Sequence, residues 1–161
     1  LKIEGRMKTA LYVATVARTY RKAIDDYLED PAKYQANMSW YQEQIAGCTY
    51  RKFTTGFFYG KPGEESQIYD NNTYEKGYTY LGFAEVVDER GYVQITQRNK
   101  FTVGESIEIM KPDGTNLLVP VKAIYDEEGN SVESAPHPQQ KLFVDLGGGA
   151  EVYDILRRSE A

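Results

Sequence analysis

Nucleophilic catalysis needs a Ser, Cys or Thr beside a base, and a metal centre needs clustered His, Cys or carboxylates. This 161-residue chain has one histidine, His137, and one cysteine, Cys48. His137 sits in Ala-Pro-His-Pro, where the flanking prolines predict an exposed turn. Cys48 follows Gly47 at a predicted helix end and reads as a small buried hydrophobe. The carboxylate pairs Asp25-Asp26, Glu64-Glu65 and Glu127-Glu128 are either neighbours on a helix, which face different ways, or turn residues. All three are expected to be solvated charge. Gly147-Gly148-Gly149 leads into a strand rather than a helix N-terminus, so it is expected to be a turn and not a phosphate cradle.

The one unusual cluster is Tyr50-Arg51-Lys52-Phe53-Thr54-Thr55-Gly56-Phe57-Phe58-Tyr59-Gly60-Lys61. Cations interleaved with aromatics can neutralise phosphates and stack bases, which makes Arg51, Lys52, Phe57 and Lys61 candidate RNA- or substrate-binding residues. The competing reading has Phe53, Phe57 and Phe58 plugging a gap between two parts of the fold while the cations stay in water.

Charge is distributed unevenly around this cluster. Residues 1–62 carry ten Lys/Arg against six Asp/Glu, and residues 63–161 carry nine against eighteen. An acidic C-terminal part is a poor binder of phosphate backbones, so any nucleic-acid contact belongs to the basic first third. No apolar run approaches the roughly 18 residues a membrane span needs, and the single cysteine suits a reducing compartment. No membrane association and a cytoplasmic location are expected. Asn71-Asn72-Thr73 has the glycosylation spacing but no secretion signal to give it meaning.

The elements that would position these residues are legible from periodicity. Val13, Val16, Ala17, Tyr20, Ala23, Ile24, Tyr27 and Leu28 recur at three- and four-residue spacing, predicting one amphipathic helix from Met7 to Glu29, stopped by Asp30-Pro31. SWYQEQIAG predicts a second helix with Ser39 as cap and Gly47 in a left-handed C-terminal position, giving a helical hairpin with a loop of about ten residues. From residue 78 onward, six short strand-like runs are separated by turn signals: YTYLGFAEVV, YVQITQ, SIEIMK, NLLVPVKAIYD, KLFVDL and EVYDILRR. That pattern predicts an α+β chain: residues 1–62 as a strand, helical hairpin and connector, 63–76 as a linker, and 77–161 as a small antiparallel β-barrel.

The opening LKIEGR alternates in the manner of a strand, although IEGR alone also matches a cleavage site used in fusion proteins. LKIEGRMK followed by LYVATVARTYRKAIDDYLEDP resembles the segment that ends the catalytic region of the collagenase-like peptidases, peptidase family U32. TTGFFYGKP and ITQRNKFTVGESIEIM are similar to that family's C-terminal region. FTVGESIEI also resembles the turn before a strand in the second-domain barrel of translation elongation factors.

The resemblance implies that the chain is the end of a larger enzyme, following a TIM-like catalytic barrel. It implies a non-catalytic role in substrate recruitment, as a lid, or in oligomerisation of a peptidase. Alternatively, it implies the RNA-facing part of an enzyme that hydroxylates a transfer-RNA uridine. The implied partners are the upstream barrel, a protein substrate or transfer RNA, and a second copy of the chain. An iron–sulfur cluster, where the family has one, is implied upstream and not in this segment. The implied parent is a hydrolase, of which this segment alone is expected to be inactive. Glu4 and Arg6, on one side of the presumed last barrel strand, are the candidate catalytic residues of the intact protein.

Overall fold

The computed structural model describes residues 2–48, 56–61, 63 and 77–160. Arg51, Lys52, Phe53, the glycosylation triplet and, apart from Gly63, the linker expected over 63–76 lie outside the described residues.

Residues 2–5 carry no regular structure, so the expected strand is not formed there. A strand needs a neighbour for its N–H and C=O groups. Here the chain bonds locally instead, Lys8 N–H donating to the Gly5 carbonyl at 2.9 Å. Helix α1 (Ala10–Glu29) then starts three residues later than predicted, because Thr9 caps it by accepting the Tyr12 N–H at 3.2 Å.

Asp30 ends α1 in extended backbone and at once caps α2 (Pro31–Ala36), its Oδ1 accepting the Ala32 N–H at 2.8 Å. Pro31, which cannot continue α1, starts the next helix, where a missing N–H costs nothing. The expected loop is therefore mostly a helix. Helix α3 (Met38–Ala46) follows from Asn37, and Ser39, expected as its cap, lies within its first turn. Gly47 stays right-handed at φ −71°. Its glycine identity answers a different demand: a Cβ there would come within 2.9 Å of Tyr78 Cε2.

The predicted apolar stripe of α1 mostly faces outward. Val16 is buried, but Val13, Tyr20, Ile24, Tyr27 and Leu28 are exposed. The buried face carries Leu11, Thr15, Arg18, Thr19 and Asp26 instead. Its neighbours are α3 and the polar turn at residues 111–116, which demand hydrogen bonds rather than apolar contact.

Residues 77–160 fold into two antiparallel sheets. Strands β1 (Tyr78–Phe83), β4 (Ser106–Met110), β5 (Asn116–Pro120) and β9 (Ile155–Ser159) make one, in the order β1-β9-β4-β5. The other has the order β2-β3-β8-β6-β7, from β2 (Val86–Val87), β3 (Val93–Thr96), β6 (Ala123–Tyr125), β7 (Ser131–Val132) and β8 (Lys141–Asp145). Two of the six predicted runs divide between sheets. YTYLGFAEVV turns at Ala84, whose N–H donates to the Asp154 carbonyl, and NLLVPVKAIYD turns at Val121, whose N–H donates to the Glu105 carbonyl.

The described residues form no closed barrel, where the sequence pattern predicts a small antiparallel barrel, closed or nearly so. The sheets are joined by corners and by isolated bonds, such as Arg98 N–H to the Leu81 carbonyl at 2.9 Å, rather than by one continuous ladder. Between them lies a core of Leu81, Val93, Ile95, Phe101, Ile107, Ile109, Ile124, Leu142, Val144 and Leu156. The predicted Gly turn before β4 is present: Gly104 takes φ +89° and Glu105 Oε1 accepts from both Thr102 N–H and Oγ1–H.

Candidate nucleic-acid interface

Phe57, Phe58 and Tyr59 are 78%, 83% and 83% exposed. They do not plug a gap between the helices and the sheets, as one reading of the sequence expected. Residues 56–59 form a turn in which Gly60 N–H donates to the Phe57 carbonyl at 3.2 Å, with Gly56 at φ +51°. This tight turn presents successive rings outward. The Phe58 and Tyr59 rings meet edge to face, with centroids 4.9 Å apart. Lys61, also exposed, follows two residues on.

Glu4 and Arg6, the other sequence candidates, are both exposed. Glu4 Oε1 accepts the Arg6 backbone N–H at 3.0 Å, so the carboxylate is engaged locally. They do not share one side of a strand, because no strand forms there. His137 is exposed in a turn and Cys48 is buried, as the sequence predicts.

Other polar side chains, none of which the sequence marks as a site, are buried where the helices meet the sheets. Arg18 is buried at the junction of α1, α3 and the 111–116 turn. Its Nη1 donates to the Lys111 carbonyl and to Asn116 Oδ1, both at 2.9 Å, and its Nη2 donates to Gln44 Oε1 at 2.6 Å. Burial, with the nearby Arg157 charge second, lowers its guanidinium to about 10. Asp26, expected in water, is also buried. It accepts from Tyr41 Oη at 2.6 Å and Asn37 Nδ2 at 3.0 Å, and pairs with Lys22 at 3.0 Å and Lys33 at 3.3 Å. The Tyr41 hydrogen bond is the chief reason its carboxyl titrates well below the ordinary carboxylate range, while Tyr41 is pushed up to about 12 by burial and then by Asp26. Asp25, its neighbour, stays exposed and pairs with Arg21 on the outer surface.

Arg157, on β9, is 1% exposed. Its Nε donates to Glu108 Oε2 at 2.9 Å, and its guanidinium lies 3.6 Å from the Tyr78 ring centroid. The sequence held one usable signal for these residues: Arg18 and Asp26 stand eight apart, hence on one helical face, opposite most of the apolar stripe.

The implied iron–sulfur cluster finds no ligand set here. Cys48 is the chain's one cysteine, it is buried, and burial pushes its thiol up. Among the described residues no group of three or more His, Cys, Asp or Glu could hold a metal ion. These residues do not fit such a cluster. Among the described residues no helix is long and apolar enough to cross a membrane.

Comparison with known proteins places these features in a family. The model described as peptidase family U32 matches residues 1–68, and that described as peptidase family U32 C-terminal domain matches residues 76–157. The chain is 39% identical over 161 residues to tRNA hydroxylation protein P1 of Bacillus subtilis (strain 168), covering 99% of this chain and 38% of that protein. It is 32% identical over 166 residues to tRNA hydroxylation protein P of Escherichia coli (strain K12), covering 99% of this chain and 34% of that protein. To a collagenase of Porphyromonas gingivalis (strain ATCC BAA-308 / W83) it is 32% identical over 149 residues, covering 86% of this chain and 34% of that protein. The chain thus spans between 34% and 38% of the length of these relatives. With both regions matched, the chain belongs to peptidase family U32.

Proposed function

We propose that this chain is the RNA-facing part of an enzyme that hydroxylates transfer RNA, with Phe57, Phe58, Tyr59 and Lys61 contacting the nucleic acid together with Arg51 and Lys52. The observation that carries this reading is the outward display of three successive aromatic rings beside a lysine. Exposed rings gain about 1–3 kcal/mol each by stacking on unpaired bases, and adjacent cations neutralise the backbone. The names of the Bacillus subtilis and Escherichia coli relatives support it. The acidic sheets would stand off the phosphates, leaving the basic first third to make the contact.

The test is a gel-shift titration of transfer RNA across salt concentrations. Binding at low salt that weakens as salt rises, and weakens again when Arg51 and Lys52 are both changed to Ala, is expected. Absence of binding at low salt, or indifference to the double change, rejects the reading.

A second reading, substrate recruitment or lid formation for a collagenase-like peptidase, is favoured by the Porphyromonas gingivalis relative. Under it, the exposed rings would grip a protein chain, and gelatin rather than RNA would protect them.

A further inference from the structure

We propose that the groove between α1 and the first sheet takes an unpaired RNA base, with the Tyr153 ring stacked on it. The inference rests on the RNA reading above and adds a contact outside residues 50–61. The groove has a volume of about 480 Å³, within the range of small-ligand sites. One wall is a single face of α1, because Ala14, Ala17, Arg18 and Arg21 follow the three- and four-residue spacing of a helix. Ala14 and Ala17 are small and leave the space open. The sheet supplies the other wall, through Met110, its strand partner Ile155 and the nearby Pro112 and Tyr153.

Tyr153 stands there in a conformation that its own packing does not justify. It is the third residue of the Glu151–Asp154 turn, which the Asp154 N–H closes onto the Glu151 carbonyl at 3.1 Å, and it takes φ +76°. A glycine adopts that backbone without strain, and a tyrosine does not. The turn is anchored on both sides, by Tyr153 N–H on the Ala84 carbonyl and Ala84 N–H on the Asp154 carbonyl, each at 2.8 Å. The ring is nevertheless 76% exposed, so burial does not offset the strain. An aromatic ring held on an anchored, strained turn beside an open groove is a stacking surface.

The polar groups of the groove select the ligand. Arg18, Arg21 and Lys111 line it, and no carboxylate among the described residues does. Arg18 is 6% exposed; its Nη1 and Nη2 have acceptors within the protein, and its Nε has none. Lys111 is held by Asp154 at 2.8 Å and Glu151 at 3.1 Å. Arg21 is exposed and pairs with Asp25 on the helix surface, a contact weak enough to exchange for an RNA phosphate. Donors in an apolar groove suit a planar ring edged with carbonyl oxygens and ring nitrogens. An aliphatic protein side chain would fill the same walls but leave the Arg18 Nε–H unanswered.

Fluorescence anisotropy of a labelled single-stranded RNA of about six nucleotides, titrated with the 161-residue chain, tests the site. Tyr153→Gly should weaken binding about tenfold while melting at about the parent's temperature, because glycine fits the turn. Ala17→Leu, at an exposed helix position, should fill the groove and weaken binding likewise. An RNA of the same length whose riboses carry no bases should bind the parent and Tyr153→Gly equally. Unchanged affinity in both variants, or a Tyr153→Gly protein that loses stability but not affinity, overturns the site. Uridine monophosphate competing as strongly as the oligomer names a free nucleotide as the source and overturns the RNA assignment. A gelatin peptide whose binding is lost in both variants, with RNA affinity unmoved, makes the groove a protein-docking surface and also overturns it. RNA binding that depends on Arg51 and Lys52 but not on Tyr153 or Ala17 sinks this site alone, whereas absence of RNA binding at low salt sinks both readings.

Discussion

Tyr41 Oη donates a 2.6 Å hydrogen bond to Asp26 Oδ2, and this bond fastens α3 to α1. Both residues are buried, and Asn37, Lys22 and Lys33 complete the carboxylate's shell. Tyr41→Phe is expected to cost about 1–3 kcal/mol, since it leaves a buried carboxylate short of a donor. Urea unfolding of the two proteins measures it, and equal midpoints would show that the bond contributes nothing.

The same pair fixes how stability responds to pH. Asp26 titrates lower in the folded chain, so its contribution is present above the unfolded carboxylate range of about 4 and is lost as pH falls below it. Tyr41 titrates higher, at about 12 folded, so its contribution is complete below the unfolded value of about 10 and disappears as pH rises from there to about 12. Denaturation midpoints followed at both extremes should fall in these windows, and each fall should be smaller in Asp26→Asn.

Arg18→Ala removes a side chain that bonds both α3 and the 111–116 turn. A loss of about 3–5 kcal/mol is expected, because Gln44 and Asn116 lose their partner. Thermal unfolding followed by near-ultraviolet circular dichroism reports it. An unchanged transition would mean that the helices and sheets are held by other contacts.

Phe57→Ala combined with Phe58→Ala should weaken transfer-RNA binding at least tenfold, by the loss of base stacking. Because both rings are exposed, the melting temperature should move little. Weaker binding accompanied by a large loss of stability would reassign these rings to the fold.

The outward stripe of Val13, Tyr20, Ile24 and Tyr27 is a contiguous apolar surface on one helix. The chain is expected to self-associate at high concentration, and Tyr20→Glu with Ile24→Glu to abolish that. Sedimentation velocity across a concentration series decides, and a monomer throughout would contradict it.

Periodicity located α1 and α3 and most of the strands, since alternation and three-to-four spacing are local properties. It did not show that the opposite, polar side of α1 is the buried one, because Arg18 and Asp26 become buriable only through Gln44, Asn116 and Tyr41, which come from elsewhere in the sequence. It also missed α2, where Pro31 reads as a stop signal and acts as a start. The sheets were harder still. Ala84 and Val121 lie inside apolar runs that read as single strands, and only pairing with distant partners turns the chain at those points. The exposed rings of Phe57 and Phe58 were visible as candidates, but apolar residues in a connector usually anchor it, and composition alone could not distinguish display from burial.

Strand β9 lies between β1 and β4 in its sheet, pairing Tyr80 with Arg157 on one side and Glu108 with Arg157 on the other. Among the described residues it is also the last strand to be synthesised. During translation, β1 must therefore wait without its partner while about 70 further residues emerge, a long interval for an apolar edge. The helices, whose contacts are mostly local, can form well before then. The newborn chain should thus present its helical part, with Phe57 to Tyr59 beyond it, while the sheets are still open.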